Sequence, residues 1–377
     1  MHSLTDEQRM LQTMARDFAK EQLTPFAATW DKTAHFPKDV VKAMGKLGLF
    51  GMLIPEEWDG AGVDHLSYCL AIEEIAAGDG ACSTIMAVHN SVGCLPILKY
   101  GSTAQKQQFL KPLSRGEYLA AFCLTEPQAG SDAAAIQTKA ERQGDAYILN
   151  GVKQFVTSGK SADIAIVFAV TEPLAGKHGI SAFIVPTNTP GYTVANIEAK
   201  MGQRASDTAQ IVFENCKVPT SQLLGAEGEG YKIALSHLEC GRIGIAAQAV
   251  GMARHALELS LQYAKQRQTF GKDLLAHQAV AFRLADMATE LQAARLMVWH
   301  AACLRDANIP CQQQAAMAKL FATEAAEKIC NSAIQIHGGY GYLQDFTVER
   351  IYRDVRVTTI YEGTSDIQRL LIGKTLS

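Results

Sequence analysis

Apolar positions change their spacing twice along the chain. In residues 1–118 they recur every three or four positions, as at Met10, Met14 and Phe18, after the capping-box sequence Thr5-Asp6-Glu7-Gln8. This spacing predicts a helical N-terminal domain.

Strand-like spacing replaces it from 119 to 228. Apolar and β-branched runs at 164–170, 180–185 and 210–213 are bounded by turn residues. The pair Asn150-Gly151, between two further runs, is typical of a two-residue hairpin. We therefore predict a small antiparallel β-domain inserted between helical ones.

Helical spacing returns at 229–377. One stripe steps by three or four positions and predicts a helix of about 35–40 residues, which in a globular protein implies a helical bundle. The stripe consists of Ala246, Val250, Ala253, Leu257, Leu261 and Ala264. The predicted fold class is α+β, with three domains at 1–118, 119–228 and 229–377.

Composition and net charge limit the kinds of binding partner and the cellular location that we expect for this protein. The 377 residues carry a net charge of −3, which favours neither nucleic acid nor an anionic membrane. The first residues have no basic or apolar leader, and no run of about 18 apolar residues is seen, so we expect neither a signal peptide nor stable membrane insertion. The nine cysteines never form C-x-x-C, which predicts a reducing, cytoplasmic location without disulfides or a metal site.

Three segments have compositions that are unusual for a packed protein core. The loop 122–132, FCLTEPQAGSD, offers hydroxyls and small residues for a polar ligand, although a plain domain-junction turn is the commoner reading. Arg267 to Lys272, RQTFGK, ends the long helix, and its basic residues suit either helix capping or a phosphate contact. The third segment combines 335–342 with 360–366, where Glu362 stands between Tyr361 and a glycine.

Glu362 is the candidate catalytic group. A carboxyl in an apolar cleft has a raised pKa and can act as a general base near neutral pH, although a glutamate before glycine is usually only a helix-end residue. Two glycine-rich stretches, 225–230 and 338–341, lack the spacing or the preceding strand of a dinucleotide-binding turn. We therefore predict no Rossmann site.

In combination the segments resemble the acyl-CoA dehydrogenase family. The resemblance rests on LTEPQAGSD at 124–132, RQTFGK at 267–272, HGGYG at 337–341 and YEGTS at 361–365, in the family's order. It implies an N-terminal helical domain, a middle β-domain and a C-terminal four-helix bundle. It also implies non-covalent FAD, an acyl-CoA substrate, an electron-transferring flavoprotein as partner and a homo-oligomer, most often a tetramer.

The resemblance assigns site residues position by position. The residues implied to contact FAD are Phe122, Cys123, Leu124, Thr125, Ser131, Phe155, Val156, Thr157, Arg267, Thr269, His277, Gln278, Gln335, Gly338, Gly339, Thr364 and Asp366. Those implied to contact the substrate are Ser131, Glu239, Arg242 and Gly363. The stretch 335–339 is implied to come from a neighbouring subunit and to meet the 267–278 stretch only across that interface. Position 155 is Phe where many members have Trp, and position 366 is Asp where Gln or Glu is common.

Glu362 is the base that the resemblance implies for removing the α-proton of a short, possibly branched, acyl thioester. Some members carry the base on the long helix instead, where this chain has Gly241; Glu239 is two residues away. Two other readings stay open, an acyl-CoA oxidase that uses oxygen and an acyl-CoA-binding protein without redox activity.

Overall fold

Helices fill both ends of the chain, and one sheet lies between them in sequence. The computed structural model describes residues 4–376. The predicted capping box starts the first helix, since Gln8 N–H donates to Thr5 Oγ1 at 3.1 Å and Thr5 N–H donates to Gln8 Oε1 at 3.0 Å. The N-terminal helices are α1 (Asp6–Phe18), α2 (Ala27–Thr33), α3 (Lys38–Lys46), α4 (His65–Gly78), α5 (Gly80–Val88), α6 (Leu95–Tyr100), α7 (Thr103–Gln105) and α8 (Lys111–Ser114).

One segment corrects an expectation about membranes. Gly80–Tyr100, formed by α5, a π-helical turn and α6, is long and apolar enough to cross a bilayer, with a mean hydropathy of 1.4. The expectation that no such run exists is therefore wrong. Its most apolar window is 89% buried within the fold, because small side chains such as Ala81 and Cys82 pack against neighbouring helices.

The middle region forms an eight-stranded sheet with strand order β6-β7-β3-β2-β4-β5-β8, and β1 pairs with β4. The sheet is mixed rather than wholly antiparallel, because β1 and the start of β2 both run parallel to β4. Its strands are β1 (Ala120–Cys123), β2 (Lys139–Gln143), β3 (Ala146–Thr157), β4 (Ile164–Val170), β5 (Ile180–Pro186), β6 (Tyr192–Ile197), β7 (Thr208–Pro219) and β8 (Leu223–Leu224).

The predicted hairpin at Asn150-Gly151 is wrong. Strand β3 runs straight through both residues, with a register shift against β7 at that point. Glycine is required there by close packing, since a Cβ on Gly151 would lie 2.5 Å from Thr138 Oγ1. The turn lies earlier, where Gly144 adopts φ 62° between β2 and β3.

Strands β4 and β5 are covered on both faces. Ala165 and Val167 of β4 face the larger core, which joins the sheet to the N- and C-terminal helices. Ile164 and Ile166 face a second core, shared with residues of α6 and α8. Burial on both faces explains why these strands have continuous apolar sequences.

The long C-terminal helix has the predicted length. α9 (Gly230–Gln266) is 37 residues long, and Ala246, Val250 and Ala253 of its apolar stripe are buried, whereas Leu261 is 37% exposed. It packs against α10, α11 and α4. The remaining elements are β9 (Gln268–Thr269), β10 (Lys272–Asp273), α10 (Gln278–Asp306), α11 (Gln312–His337), α12 (Thr347–Val355) and α13 (Ser365–Leu376).

An ionic cluster joins the two helical ends. Glu73 and Glu74 on α4 have side chains only 5% and 1% exposed. Arg254 of α9 contacts both, at 3.2 and 2.6 Å, while Arg295 of α10 lies 2.7 Å from Glu73 and Arg16 of α1 lies 2.7 Å from Glu74. Carboxylates buried this deeply need their cations, because an unpaired buried charge destabilises by about 3–5 kcal/mol.

Candidate active site

Glu362 lies in a tight turn between a 3-10 turn at Arg356–Thr359 and the start of α13. Its φ is 55°, a left-handed conformation that non-glycine residues rarely adopt and that is typical of functional sites. Gly363 follows with φ 91°, and a Cβ there would lie 2.7 Å from Gln368 Nε2. The turn therefore depends on glycine at 363 and presents the Glu362 side chain toward α9.

The Glu362 carboxylate lies directly against the backbone of α9. A Cβ built on Gly241 would be 2.7 Å from Glu362 Oε2 and 3.1 Å from Oε1. A side chain at 241 would thus occupy the place of the carboxylate. This geometry fits the expectation that a base occupies either the helix position or position 362, because glycine at 241 leaves room for the Glu362 carboxylate.

Burial gives the Glu362 carboxyl the protonation behaviour of a base. Desolvation raises its pKa to about 7, although the cations of Arg242 and Lys319 act to lower it. Its Oε2 is buried and has no hydrogen-bond partner within residues 4–376. A carboxylate with a free lone pair and a pKa near neutral is suited to accept a proton from a bound ligand.

Arg242 is the cation on the α9 side of this carboxylate. Its side chain is buried, its Nε has no hydrogen-bond partner in the described part of the chain, and burial lowers its pKa while Glu362 and Glu239 oppose that shift. Glu239 is directed elsewhere, because its Oε1 lies 2.8 Å from Arg305 on α10 and accepts a hydrogen bond from the Cys311 thiol at 3.2 Å.

The neighbouring Tyr361 is held in a buried polar network that the sequence did not reveal. Its hydroxyl donates to Gln248 of α9 and accepts from Gln203 Nε2 at 3.2 Å. Gln203 belongs to the loop before β7 and also accepts from Thr84 of α5. The network joins the turn at Glu362 to all three regions. Burial raises the pKa of Tyr361 to about 12, so its hydroxyl stays neutral.

The segments implied to contact the flavin ring lie side by side in the β-domain. Gln154 N–H donates to Thr125 O at 2.8 Å, which places Phe155–Thr157 next to the 122–125 stretch. The Phe155 side chain is 63% exposed at φ 56° and offers a free aromatic face. Cys123 and Val156 are buried, so their side chains belong to the core and Cys123 can offer a ligand only its backbone.

A buried ion pair supports this loop. Lys153 Nζ lies 2.7 Å from Glu126 Oε1, with both side chains almost fully buried, and also donates to Leu124 O at 3.0 Å. Glu126 further accepts from the N–H groups of Gln137 at 2.6 Å and Thr138 at 3.0 Å. Ser131, in the same loop, is exposed.

Arg267 and the glycines of the third segment line one cavity of about 430 Å³ in a single chain. The expectation that these stretches meet only across a subunit interface is therefore wrong, because the C-terminal ends of α9 and α11 lie beside each other in one chain. Thr269 contributes to the lining, and its Oγ1 lies 3.1 Å from His277 Nε2. A Cβ on Gly338 or Gly339 would meet nothing within 4 Å, so both leave open space. Gln278 and Gln335 are exposed, and they are close in sequence to residues that line this cavity.

Thr364 and Asp366 line a different cavity, of about 640 Å³. Thr364 Oγ1 accepts from Ile367 N–H at 3.3 Å at the start of α13, and Asp366 pairs with Arg369 at 3.4 Å. The assigned residues thus form three groups, in the β-domain, at the ends of α9 and α11, and around Glu362.

Comparison with known proteins identifies the family. Family models of the N-terminal, middle and C-terminal domains of acyl-CoA dehydrogenases match residues 5–117, 121–216 and 228–377. The chain belongs to the acyl-CoA dehydrogenase family. It is 50% identical over 376 residues to an acyl-CoA dehydrogenase of Bacillus subtilis (strain 168), covering 100% of this chain and 99% of the relative. It is 48% identical over 370 residues to the short-chain specific mitochondrial enzyme of Rattus norvegicus, covering 98% and 90%.

Solved structures of acyl-CoA dehydrogenases share the fold. Butyryl-CoA dehydrogenase from Megasphaera elsdenii has a TM-score of 0.98 at 43% identity, covering 100% of this chain and 99% of that one. A chain described under the electron transferring flavoprotein of Acidaminococcus fermentans has a TM-score of 0.98 at 45% identity, with the same coverage. A glutaryl-CoA dehydrogenase from Mycobacterium smegmatis in complex with FADH2 has a TM-score of 0.95 at 35% identity, covering 99% and 95%.

FAD is the cofactor of this family, and the residues present fit it. The exposed Phe155 ring offers a stacking surface for a planar heterocycle. Arg267 and the open backbone at Gly338 and Gly339 form a positively charged concavity that suits a pyrophosphate.

Proposed function

We propose that this protein removes the α-proton and the β-hydrogen of a short, straight or branched acyl-CoA and forms the trans-2-enoyl-CoA. The observation that supports this most directly is the Glu362 carboxylate, which lies against Gly241 with a free Oε2 and a pKa raised to about 7. This geometry suits one chemical role, the acceptance of a proton from a bound substrate.

The chain's own groups account for the proton step. Glu362 accepts the α-proton, and its burial makes the carboxylate more basic than an exposed one. Arg242 and Lys319 offset part of this effect, so that a substantial fraction of the carboxyl stays ionised at neutral pH. The backbone N–H of Glu362 is the donor that the family implies for the thioester carbonyl, where enolate charge develops.

The cofactor would be held by two groups of residues. Phe122–Thr125, Ser131 and Phe155–Thr157 would contact the flavin ring and its side chain, and Arg267, Thr269, His277 and the glycines at 338–339 would hold the phosphate and adenosine half. When bound, FAD supplies the acceptor for the β-hydrogen as hydride.

The short acyl chain is supported by likeness to a short-chain specific enzyme and to a butyryl-CoA dehydrogenase. An electron-transferring flavoprotein is the acceptor we propose for the electrons, and the structural neighbour described with such a protein supports it. We also propose a homo-oligomer in the cytoplasm. Light scattering should then give a mass well above 40.8 kDa.

Anaerobic mixing with a panel of acyl-CoAs tests the proposal. Butyryl-CoA or a short branched analogue should bleach the flavin absorbance fastest, and palmitoyl-CoA slowest. Colourless protein that cannot be loaded with FAD would favour the acyl-CoA-binding reading. Rapid reoxidation of the bleached enzyme by air, with hydrogen peroxide as product, would favour the oxidase.

A further inference from the structure

Lys319 is a buried amine that the proton step does not use directly, and burial lowers its pKa to about 7. It lies in the N-terminal third of α11 with no exposed surface, among the buried alanines Ala315, Ala318 and Ala322. An ammonium in such surroundings is unfavourable unless its hydrogens are bonded and its charge is balanced. The contacts of the Lys319 side chain should therefore explain why an amine is tolerated at this buried position.

Those contacts lie on both sides of the catalytic glutamate. Lys319 Nζ donates to Gly363 O at 2.8 Å and to Thr358 O at 2.9 Å. Gly363 is the residue after Glu362, and its carbonyl also accepts from Gln368 Nε2 at 2.8 Å. The turn that carries Glu362 in its left-handed conformation is thus tied at both ends to one side chain of α11.

We propose that Lys319 is a positioning residue for Glu362, holding the turn at residues 358–363 so that the carboxylate lies against Gly241. The effect on catalysis rests on the proposed function, whereas the effect on the turn does not. Because left-handed backbone at a glutamate is strained, the turn should relax when its ties are removed.

Lys319 also acts on the carboxylate by its charge. The groups that face Glu362 are Arg242 on α9, Lys319 on α11, the Tyr68 hydroxyl on α4 and the adjacent Tyr361. Arg242 and Lys319 both lower the pKa of Glu362 when they are charged. Because burial lowers the pKa of Lys319 itself to about 7, its charge is largely present at pH 6 and largely lost at pH 9. Removing the Lys319 charge should therefore raise that pKa, so that more carboxyl is protonated at a given acidic pH.

The charge effect and the positioning effect can be distinguished by comparing the loss of rate at two pH values. Near pH 9 the carboxyl is ionised with or without Lys319, so a loss of rate there reports the position of the carboxylate. Near pH 6 the higher pKa adds a further loss. A role in packing alone would lower the rate equally at both values.

The test compares Lys319→Met, whose side chain is similar in length and uncharged, with Lys319→Arg, which keeps a charge and donors. Lys42→Met is the matched control, because Lys42 is an exposed lysine on α3, away from the Glu362 turn and the cavities described above. If Lys319→Met does not fold, the shorter, uncharged Lys319→Gln takes its place in every measurement.

The first measurement needs no substrate. Hydrogen–deuterium exchange of peptides covering 358–368 should be at least tenfold faster in Lys319→Met than in wild type, with peptides of the β-domain unchanged and Lys42→Met like wild type. Unchanged exchange in 358–368 would overturn the proposal, whatever the enzyme's activity.

The second measurement is flavin bleaching by butyryl-CoA between pH 6 and pH 9. For Lys319→Met we expect a rate at pH 9 lower by at least about tenfold, consistent with a misplaced catalytic group. The loss should grow by a further threefold or more at pH 6, with partial recovery in Lys319→Arg and an unchanged FAD content. A wild-type rate at pH 9 would overturn the positioning role. If wild type itself is not bleached by any acyl-CoA, the proposed function fails, and the exchange measurement still decides the role of Lys319.

Discussion

Gly241→Ala should lower the rate of flavin bleaching without lowering the stability of the fold. The new Cβ would lie 2.7 Å from Glu362 Oε2 and 3.0 Å from Cδ, whereas ordinary contacts of this kind begin near 3.4 Å. The carboxylate would therefore have to move by roughly 0.7 Å. Since a misplacement of about 1 Å can lower a rate about 10²-fold, we expect flavin bleaching to slow roughly 10- to 100-fold, or about 1.4–2.7 kcal/mol in activation free energy.

The same substitution should not destabilise the fold. Alanine in a helix interior is about 0.8–1.0 kcal/mol more favourable than glycine, which offsets the strain on a flexible carboxylate. The assay is stopped-flow bleaching with saturating butyryl-CoA, with thermal unfolding measured on the same samples. Gly373→Ala in α13 is the control, because a Cβ there meets nothing within 4 Å. A bleaching rate within twofold of wild type in Gly241→Ala would refute the placement of Glu362 against α9.

Three further predictions concern the base and the flavin loop. Glu362→Gln should keep FAD and acyl-CoA binding but lose roughly 10²–10⁴-fold in bleaching rate, and a mutant with a tenth of the wild-type rate would exclude Glu362 as the base. Because the pKa of Glu362 is raised to about 7 and only the ionised form accepts a proton, the wild-type bleaching rate should rise with pH through about 7 and fall about tenfold per unit below it; a flat profile down to pH 5 would contradict this. Glu126→Ala leaves the buried Lys153 unpaired and should lower the free energy of unfolding by about 3–5 kcal/mol in chemical denaturation, whereas the double variant Glu126→Leu with Lys153→Met should lie closer to wild type. A single variant as stable as wild type would show that the ion pair is not formed.

Periodicity and local motifs were sufficient for most of the architecture. The stripe from Ala246 to Ala264 predicted a helix of about the right length, because every third or fourth residue of a packed helix must be apolar. The Asn150-Gly151 signal failed because turn propensity is local, whereas the packing of Gly151 against Thr138 comes from a distant part of the chain. The apolar stretch at 80–100 was missed because its many small residues do not form an obvious hydrophobic run.

Only part of the candidate site could be predicted from the sequence. Glu362 could be predicted as the candidate base from the residues beside it, but its contact with Gly241 joins segments far apart in sequence and depends on the fold. The buried partners Gln203 and Gln248 gave no local signal. Lys319 did give one, a single charge within an alanine-rich apolar stripe, and such a residue in a predicted buried helix is worth testing for a polar partner.

The ionic cluster at Glu73 and Glu74 has a consequence for the order of events during synthesis. Arg295, which pairs with Glu73, is 222 residues further along the chain. At about 5–20 residues per second, a ribosome needs roughly 10 to 45 seconds to make that stretch. Until then the α4 carboxylates lack at least one of their cations, so we expect α4 to reach its full stability only after α10 has been synthesised.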